Sequence, residues 1–388
     1  MQLSRETVNT FMDHGARMKP ITPFSSPLLA FAFALVISFA GETVRAAGKV
    51  ATVSVPAGGQ PMAAKTDAKG TIHLVFNSAN GPQYASSTDN GKSFSKPIAL
   101  VDRASRKPGL EFVIWDMAVS SEGAVHVALG TNAWKLKLPK EEWGFLYTRL
   151  QPPDRSVKSV RSFEPVKNIN KKPSEGFSLA VGDNGSVAAV WMADKLYANL
   201  SADGGAKFGP TVEIDPAVNP CNCCTTSSVF AADGRLAVLY REETNNERDM
   251  YLAFWDLEQN TATKTRVSST PWNINSCPMT YYSVVRGKDG FVAAWPTKGE
   301  IYFARLNADG TLPTPEIKTP GSSGMRSGIL GLPTADGGTL VAWKKDNQLG
   351  WQLYDAGGKT SGSPGSVPSA GSGVAGVVAK NGDIVLFR

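Results

Sequence analysis

All four cysteines of this 388-residue chain fall within one short region. Cys221, Cys223 and Cys224 form a Cys-x-Cys-Cys cluster, and Cys277 follows in a Cys-Pro-Met sequence. Both clusters stand just before an apolar, β-rich segment, so we expect the four sulfurs to converge at one edge of a β-structure. Sulfurs gathered in this way support either disulfide bonding or the binding of a soft metal ion.

Disulfide bonding of these cysteines allows three pairings if two bonds form. Cys223 and Cys224 are adjacent and would be strained as a pair, so a bond from Cys277 to one of the other three is the natural structural solution. The alternative is a soft-metal site, because thiolates together with the thioether of Met279 suit Cu(I) or zinc. The spacing matches no common zinc module. Disulfides are therefore favoured, no cofactor is required, and the metal site stays open as the alternative.

The two histidines beyond the N-terminal region carry no comparable chemistry. His73 lies in Ile-His-Leu-Val and His126 in Val-His-Val-Ala, which are equivalent positions of a repeated strand. A position that recurs in this way belongs to the scaffold. We predict that both histidines are structural, which argues against a histidine-based triad or a histidine-rich metal site.

Residues 1–46 have the features of an export signal. Arg17 and Lys19 precede an apolar run over residues 28–40, and residues 44–46 offer small side chains for cleavage. The run is too short to span a bilayer core of about 30 Å. We predict a cleaved signal, no membrane span after cleavage, and a periplasmic or secreted protein.

Composition and charge narrow the class of protein further. The chain contains 38 glycines and 25 prolines, which separate short apolar runs, and no stretch sustains a helical period. This pattern is typical of an all-β protein. The formal net charge of +6 is spread along the chain without a run of lysine or arginine, so the sequence does not support a nucleic-acid partner.

A pair of strands joined at a tight glycine turn recurs along the chain. The turn glycines are Gly70, Gly123, Gly185, Gly234, Gly290, Gly337 and Gly382, at intervals of about 45 to 62 residues. Hairpin repeats of this length are typical of β-propeller blades. We predict a single domain over residues 47–388, an all-β propeller with six or seven blades of four antiparallel strands. A lone strand at 50–55 and a last hairpin without outer strands predict that the two termini share a blade and close the ring.

A second repeated sequence lies between these hairpins. It reads Ser-x-Asp-x-Gly-x-x-aromatic, and its two copies are Ser87, Asp89, Gly91 and Phe94, then Ser201, Asp203, Gly205 and Phe208. It resembles the Asp-box, or bacterial neuraminidase repeat, of sialidase-like propellers. In such a turn, Asp and Ser bond backbone amides, Gly takes the strained position and the aromatic ring fixes the turn to its blade. The cysteine pattern, with Tyr240-Arg241 and Arg248-Asp249-Met250 between its two parts, is also similar to a bacterial exo-sialidase-like group.

The resemblance to sialidases implies a specific site. Those enzymes hold the substrate carboxylate with three arginines and use a Tyr nucleophile activated by Glu, with an Asp as acid/base. The first arginine belongs to an Arg-Ile-Pro motif, but the matching residues 59–62 contain no arginine. The remaining candidates are Arg241 and Arg326 for the arginines, Tyr281 or Tyr282 for the phenol, and Glu242, Glu243 or Asp116 for the carboxylates.

These observations predict an exported propeller that acts on or binds a glycan or another extracellular ligand, with exo-glycoside hydrolysis as the implied chemistry. The missing arginine favours a first alternative, a non-catalytic binding or assembly propeller with structural disulfides. A periplasmic soft-metal-binding protein is the second alternative. Four tryptophans in longer connections are candidates for stacking on sugar rings: Trp115, Trp134, Trp143 and Trp272.

Overall fold

The computed structural model describes residues 48–102, 107–152, 162–170, 175–214 and 219–388. The predicted signal segment, residues 1–46, lies outside these ranges. The described residues form 27 β-strands in seven sheets. The fold is a seven-bladed β-propeller, which resolves the predicted choice between six and seven blades.

Six of the sheets are blades of four antiparallel strands. Blade 1 comprises β2 (Gln60–Thr66), β3 (Ile72–Ser78), β4 (Gly81–Ser87) and β5 (Ile98–Ala99); blade 2 comprises β6 (Phe112–Val119), β7 (Val125–Thr131), β8 (Phe145–Leu150) and β9 (Lys167–Asn170); blade 3 comprises β10 (Glu175–Val181), β11 (Val187–Met192), β12 (Leu196–Ser201) and β13 (Val212–Glu213). Blade 4 comprises β14 (Ser227–Phe230), β15 (Leu236–Arg241), β16 (Met250–Asp256) and β17 (Thr261–Arg266); blade 5 comprises β18 (Ser283–Arg286), β19 (Gly290–Thr297), β20 (Glu300–Asn307) and β21 (Ile317–Ser322); blade 6 comprises β22 (Ile329–Pro333), β23 (Thr339–Lys345), β24 (Gln348–Tyr354) and β25 (Thr360–Pro368).

The seventh blade closes the ring and contains both ends of the described chain. Its strands are β26 (Ala375–Val378), β27 (Ile384–Phe387) and β1 (Val50–Val53), in the order β1-β27-β26. The predicted sharing of a blade by the termini is thus confirmed. This blade differs from the predicted pattern in having three strands and in pairing β1 with β27 in parallel. A strand from the far end of the chain is free to pair in this direction, because no hairpin connects it to its neighbour.

The repeated hairpin identified in the sequence forms the first two strands of every blade. The first strands β2, β6, β10, β14, β18, β22 and β26 pack side by side around the axis. The second strands lie between neighbouring blades, and β11 and β15 are buried along their whole length. For this reason the second strands read as continuous apolar runs, and Trp191 and Trp295 at their ends are core residues.

The two Ser-x-Asp-x-Gly segments form the same turn between the third and fourth strands of blades 1 and 3. In the first, Ser87 Oγ donates to Asp89 Oδ1 (2.7 Å) and accepts from the Gly91 amide (2.9 Å). In the second, Ser201 Oγ donates to Asp203 Oδ1 (2.7 Å) and accepts from the Gly205 amide (2.8 Å). The aromatic residue that ends each segment contacts the preceding blade around the ring: Phe94 lies 5.8 Å from Phe387, and Phe208 lies 5.0 Å from Tyr147, between ring centroids.

Both predicted scaffold histidines are buried in the blades. The Nδ1 of His73 lies 2.8 Å from Tyr84 Oη, and the Nδ1 of His126 lies 2.7 Å from Tyr147 Oη. Each pair joins the second strand of a blade to the third. No helix among the described residues is long and apolar enough to cross a membrane.

Candidate functional site

The topology brings the starts of the seven first strands to one face of the ring. Each blade is traversed from the inside outwards, so every first strand begins on the same side. Tyr281 comes just before β18, and Arg326 comes just before β22. Glu175 begins β10, and Trp115 and Asp116 lie in the middle of β6. We call these five residues the mouth group.

A cavity of about 270 Å³ runs into the ring at its centre. Residues from all seven first strands line it, together with the segments that lead into β14, β18, β22 and β26. Among the lining residues of the described chain, the charged side chains are Lys65 and Asp116, and no arginine is present. The wall thus offers apolar surface, hydroxyl groups and one charge of each sign.

Asp116 is held within this cavity by its backbone surroundings. Its Oδ1 accepts from the Met117 amide (2.7 Å) and its Oδ2 from the Leu179 amide of the next blade (2.9 Å). Burial raises the pKa of Asp116, and the charge of Lys65 opposes this increase only in part. A carboxyl group with this environment retains its proton more readily than an exposed one, which suits a general acid.

Tyr281, Arg326 and Glu175 influence one another electrostatically at the edge of the cavity. Desolvation raises the pKa of Tyr281; the positive charge of Arg326 opposes the increase and the negative charge of Glu175 adds to it. Desolvation also raises the pKa of the Glu175 carboxyl, again opposed by Arg326, although the residue as a whole is exposed. The phenol of Tyr281 is therefore neutral unless a base removes its proton.

Trp115 provides the aromatic surface of the mouth group. Its ring stands edge-to-face to Tyr281 at 6.4 Å and to Phe177 at 5.4 Å, between centroids. Trp115 is thus the one of the four tryptophan candidates that lines the cavity within the described chain. Trp272 instead lies under the guanidinium of Arg241, at 4.8 Å from the ring centroid.

The other catalytic candidates are in different surroundings. Arg241 is fully buried, donating from Nη1 to the carbonyl of Arg248 (2.5 Å) and from Nη2 to that of Pro296 (2.6 Å). Tyr282 uses its hydroxyl within the core, where it donates to the Thr225 carbonyl and accepts from the Arg241 amide (3.1 Å).

Glu242 lies away from the mouth group. Its carboxylate forms an ion pair with Lys264 (2.9 Å) and accepts from the hydroxyl of Tyr240 (3.3 Å). Of the predicted catalytic residues, the fold therefore brings together Asp116, Tyr281 and Arg326. Tyr282 also lines the cavity, but its hydroxyl is bonded within the core, and Arg241 and Glu242 are engaged in contacts elsewhere.

The cysteines form a separate cluster beside the mouth. A disulfide joins Cys223 to Cys277, with 6.2 Å between their Cα atoms. It links the segment leading into β14 to the segment leading into β18, which also carries Tyr281. Cys221 and Cys224 are buried free thiols with their sulfurs 3.5 Å apart. The Sγ atoms of Cys221, Cys223 and Cys224 all lie within 4.8 Å of one another, an arrangement that a soft metal ion could also use after reduction of the disulfide.

Two arginines surround the free thiols with positive charge. The Nη1 of Arg248 donates to Cys221 Sγ (3.0 Å), and Arg241 is close enough to act on Cys224. A hydrogen bond from Cys221, with the charge of Arg241, lowers the pKa of Cys224 below the usual range of a thiol, whereas the pKa of Cys221 is raised. Of the two thiols, Cys224 therefore loses its proton more readily than Cys221.

Sequence reasoning missed Glu175 and Lys65. Both are isolated charged residues in first strands, and nothing in their immediate sequence distinguishes them from solvent-exposed residues. The usable signal was their place in the repeat, since a polar residue in a first strand faces the axis.

No protein-family model matches the chain, and no curated protein sequence matches it. Solved structures with a similar fold include a protein of unknown function from Dyadobacter fermentans, at 13% identity over 82% of this chain and 97% of the other, with a TM-score of 0.48. An α-L-arabinofuranosidase of Fusarium graminearum matches at 14% identity over 80% and 93% of the two chains (TM-score 0.44). A sialidase of Streptococcus pneumoniae matches at 13% identity over 84% and 64% (TM-score 0.41). At these identities and TM-scores the structures carry no conclusion about this chain, whose propeller fold rests on its own strand topology.

Proposed function

We propose that this propeller binds a glycan end at the mouth of its central cavity. The observation that carries the proposal is the mouth group itself: an aromatic pair, Trp115 and Tyr281, set beside the charged side chains of Asp116, Glu175 and Arg326. Aromatic faces with a few convergent polar groups in a concave site are what a small polar ligand with an apolar face requires. The resemblance of the Ser-x-Asp-x-Gly turns and of the cysteine pattern to exported sialidase-like propellers supports the same ligand class.

The size and charge of the cavity limit the ligand. A volume of about 270 Å³ lies just below the range of roughly 300–1,000 Å³ for small-molecule sites, which suits one terminal sugar unit rather than an extended chain. Arg326 offers a fork of donors to a carboxylate or to paired hydroxyls at the rim. A sialidase-type grip by three arginines has no support in the described lining, so a terminal sugar other than sialic acid is the better candidate.

Binding is tested with an array of terminally diverse glycans and titration of the best ligand. We expect Trp115→Ala to weaken binding at least tenfold, because a stacked ring is lost. Trp134→Ala is the matched control, since Trp134 is 58% exposed and lies outside the mouth. Binding that is equal in both variants, or no binding to any glycan at millimolar concentration, would contradict the proposal.

Glycoside hydrolysis is the second candidate, and the raised pKa values of Asp116 and Glu175 favour it. Most glycosidases cleave the glycosidic bond with a pair of carboxyl groups that flank it. The test is a panel of fluorogenic glycosides that includes sialosides and arabinofuranosides. Turnover should fall by about 10²–10⁴-fold in Asp116→Asn or Glu175→Gln while binding is retained. Binding without turnover across the panel would leave the propeller as a non-catalytic binding module.

A further inference from the structure

The four cysteines are arranged as a partly exposed disulfide in front of a buried dithiol. Cys223 and Cys277 are partly exposed, whereas Cys221 and Cys224 are each only 2% exposed. A disulfide that served only to tie two loops together would gain nothing from two further thiols behind it. Their presence at contact distance calls for a chemical explanation.

Cys221 occupies the central position among the sulfurs. Its Sγ lies 3.4 Å from Cys223 Sγ on one side and 3.5 Å from Cys224 Sγ on the other. Thiol–disulfide exchange requires a sulfur of this kind, in contact with both the disulfide and the second thiol. Direct attack of Cys224 on Cys223 would join adjacent residues in a strained ring, so Cys221 is the necessary intermediary.

We propose that the four cysteines form a disulfide relay, in which the buried pair Cys221/Cys224 reduces the Cys223–Cys277 disulfide and delivers a dithiol to the surface. In the first step Cys221 passes its proton to Cys224 and its thiolate attacks Cys223 Sγ; the Cys221–Cys223 bond forms, and Cys277 leaves as a thiolate. Proton exchange with Cys277 then restores the Cys224 thiolate, which attacks Cys221 Sγ. The Cys221–Cys224 bond forms and Cys223 leaves as a thiolate.

The exchange balances within the chain. One disulfide and one dithiol are present before and after, so no external oxidant or reductant is required. The surroundings favour the nucleophiles, because Arg248 donates to Cys221 Sγ and the charge of Arg241 stabilises a thiolate at Cys224. The group that the site would act on is a disulfide in an accessible partner: the exposed dithiol would reduce it to two thiols and re-form the Cys223–Cys277 bond.

The relay can be trapped without any substrate. The full chain is incubated at neutral pH with N-ethylmaleimide and no reductant, quenched in acid, and mapped by mass spectrometry after trypsin. Cys221, Cys223 and Cys224 lie on the tryptic peptide 208–235, and Cys277 lies on 267–286. We expect labels on Cys223 and Cys277, a disulfide within peptide 208–235, and loss of the link between the two peptides.

Two variants separate the steps. Cys224→Ser retains the first attack but not the second, so we expect one label, on Cys277, and a Cys221–Cys223 disulfide. Cys221→Ser removes the intermediary, so the peptides should stay linked and unlabelled in the folded protein. Circular dichroism and thermal melting establish that each variant is folded. If a variant does not fold, the labelling of the wild-type chain still tests the relay.

Two results would overturn the relay. The first is a wild-type chain whose two peptides remain linked after prolonged labelling, with maleimide on Cys221 or Cys224 or no label at all. The second is a stoichiometric soft metal in the purified protein whose removal by a chelator is needed before any cysteine reacts, which would assign the thiolates to a metal site. The inference does not depend on glycan binding, so either proposal can fail alone.

Discussion

At the scale of single residues, the fold separates charged groups that hold the structure together from those that face the central cavity. Arg241 is the clearest structural case. Its guanidinium is removed from solvent, donates to two carbonyls and covers the ring of Trp272. A buried cation held by these two hydrogen bonds joins blades 4 and 5, and a bound glycan would have no access to it.

His126 provides a residue-scale prediction of pH dependence. Burial, reinforced by the charge of Arg149, lowers the pKa of His126 to about 4, and Glu164 opposes the shift. Between its usual pKa of about 6.5 and pH 4, the unfolded chain therefore binds a proton that the folded chain does not. The free energy of unfolding should fall as the pH drops through this window, by up to about 1.4 kcal/mol per pH unit.

The measurement is urea unfolding at pH 7 and at pH 4.5. His126→Gln should lower stability at pH 7, because the contact with Tyr147 Oη is weakened, but it should flatten the acid slope. His73→Gln is the matched control, since its ring faces the Asp67 carboxylate at 3.3 Å, which would compensate a proton on that histidine. If the loss of unfolding free energy between pH 7 and pH 4.5 were the same in His126→Gln as in the wild type, groups other than His126 would produce it.

Some residues of the candidate site could be predicted from the sequence, and others could not. Tyr281 and Asp116 were found by analogy, and both reach the cavity. Arg241 was predicted as an arginine of the site from the sialidase resemblance, but it ends the second strand of its blade, which is enclosed between neighbours. Glu175 was missed because its immediate sequence resembles that of a solvent-exposed residue, and only its place at the start of a first strand indicates the mouth.

At the scale of elements, the Ser-x-Asp-x-Gly turns hold neighbouring blades together. The turn at 201–208 extends from blade 3 onto blade 2, where the Nη1 of Arg149 donates to the Gly204 carbonyl (2.5 Å). A Cβ atom at Gly205 would lie 1.9 Å from Tyr147 Oη. Glycine is required here for its positive φ and also for the close approach of the two blades.

Substitution by alanine separates these two requirements. Gly205 has φ of +82° and Gly185 has φ of +81°, but nothing lies within 4 Å of a Cβ at Gly185. Gly185→Ala should therefore lower the free energy of unfolding by about 1–2 kcal/mol, from the strain of alanine at a positive φ alone. Gly205→Ala should lower the free energy of unfolding by roughly 1–3 kcal/mol more than Gly185→Ala does, because its Cβ clashes with Tyr147.

Chemical denaturation of both variants gives the comparison. Equal losses of free energy of unfolding would mean that the turn is not tightly fastened to blade 2. The sequence supports the turn itself, since its Ser, Asp and Gly have local hydrogen-bonding roles. The neighbour that it contacts is decided by the order of blades around the ring, which no local pattern contains.

At the scale of the whole molecule, the central cavity exists only while the ring is closed. Every blade contributes its first strand to the wall, and the mouth group is assembled from two blades and from the crossovers that lead into two others. The sequence indicated this architecture well, because glycine hairpins recur at blade intervals. It left the number of blades open between six and seven; the seventh copy lacks outer strands and pairs with β1 instead.

Closure depends on one short strand pairing. The Ile384 amide donates to the Lys49 carbonyl, the Arg388 amide to Val53, and the Val55 amide to Arg388, each at 2.9 Å. A chain that begins at Val55 loses β1, and β27 becomes an unpaired strand edge whose four residues are otherwise buried. At about 1 kcal/mol per lost backbone hydrogen bond, the melting temperature should fall by several degrees, and the exposed edge should promote self-association.

The reference for this truncation is a chain that begins at Ala47, which keeps β1 and lacks the predicted signal segment. Thermal melting and light scattering after size-exclusion chromatography compare the two chains, and titration with the glycan found for the intact protein measures the mouth. Because the wall is continuous around the axis, opening the ring at blade 7 should weaken binding at Trp115 and Tyr281, although neither residue contacts β1. A truncated chain that melted at the reference temperature and bound with the reference affinity would show that six blades form the site alone, and that the terminal pairing is dispensable for it.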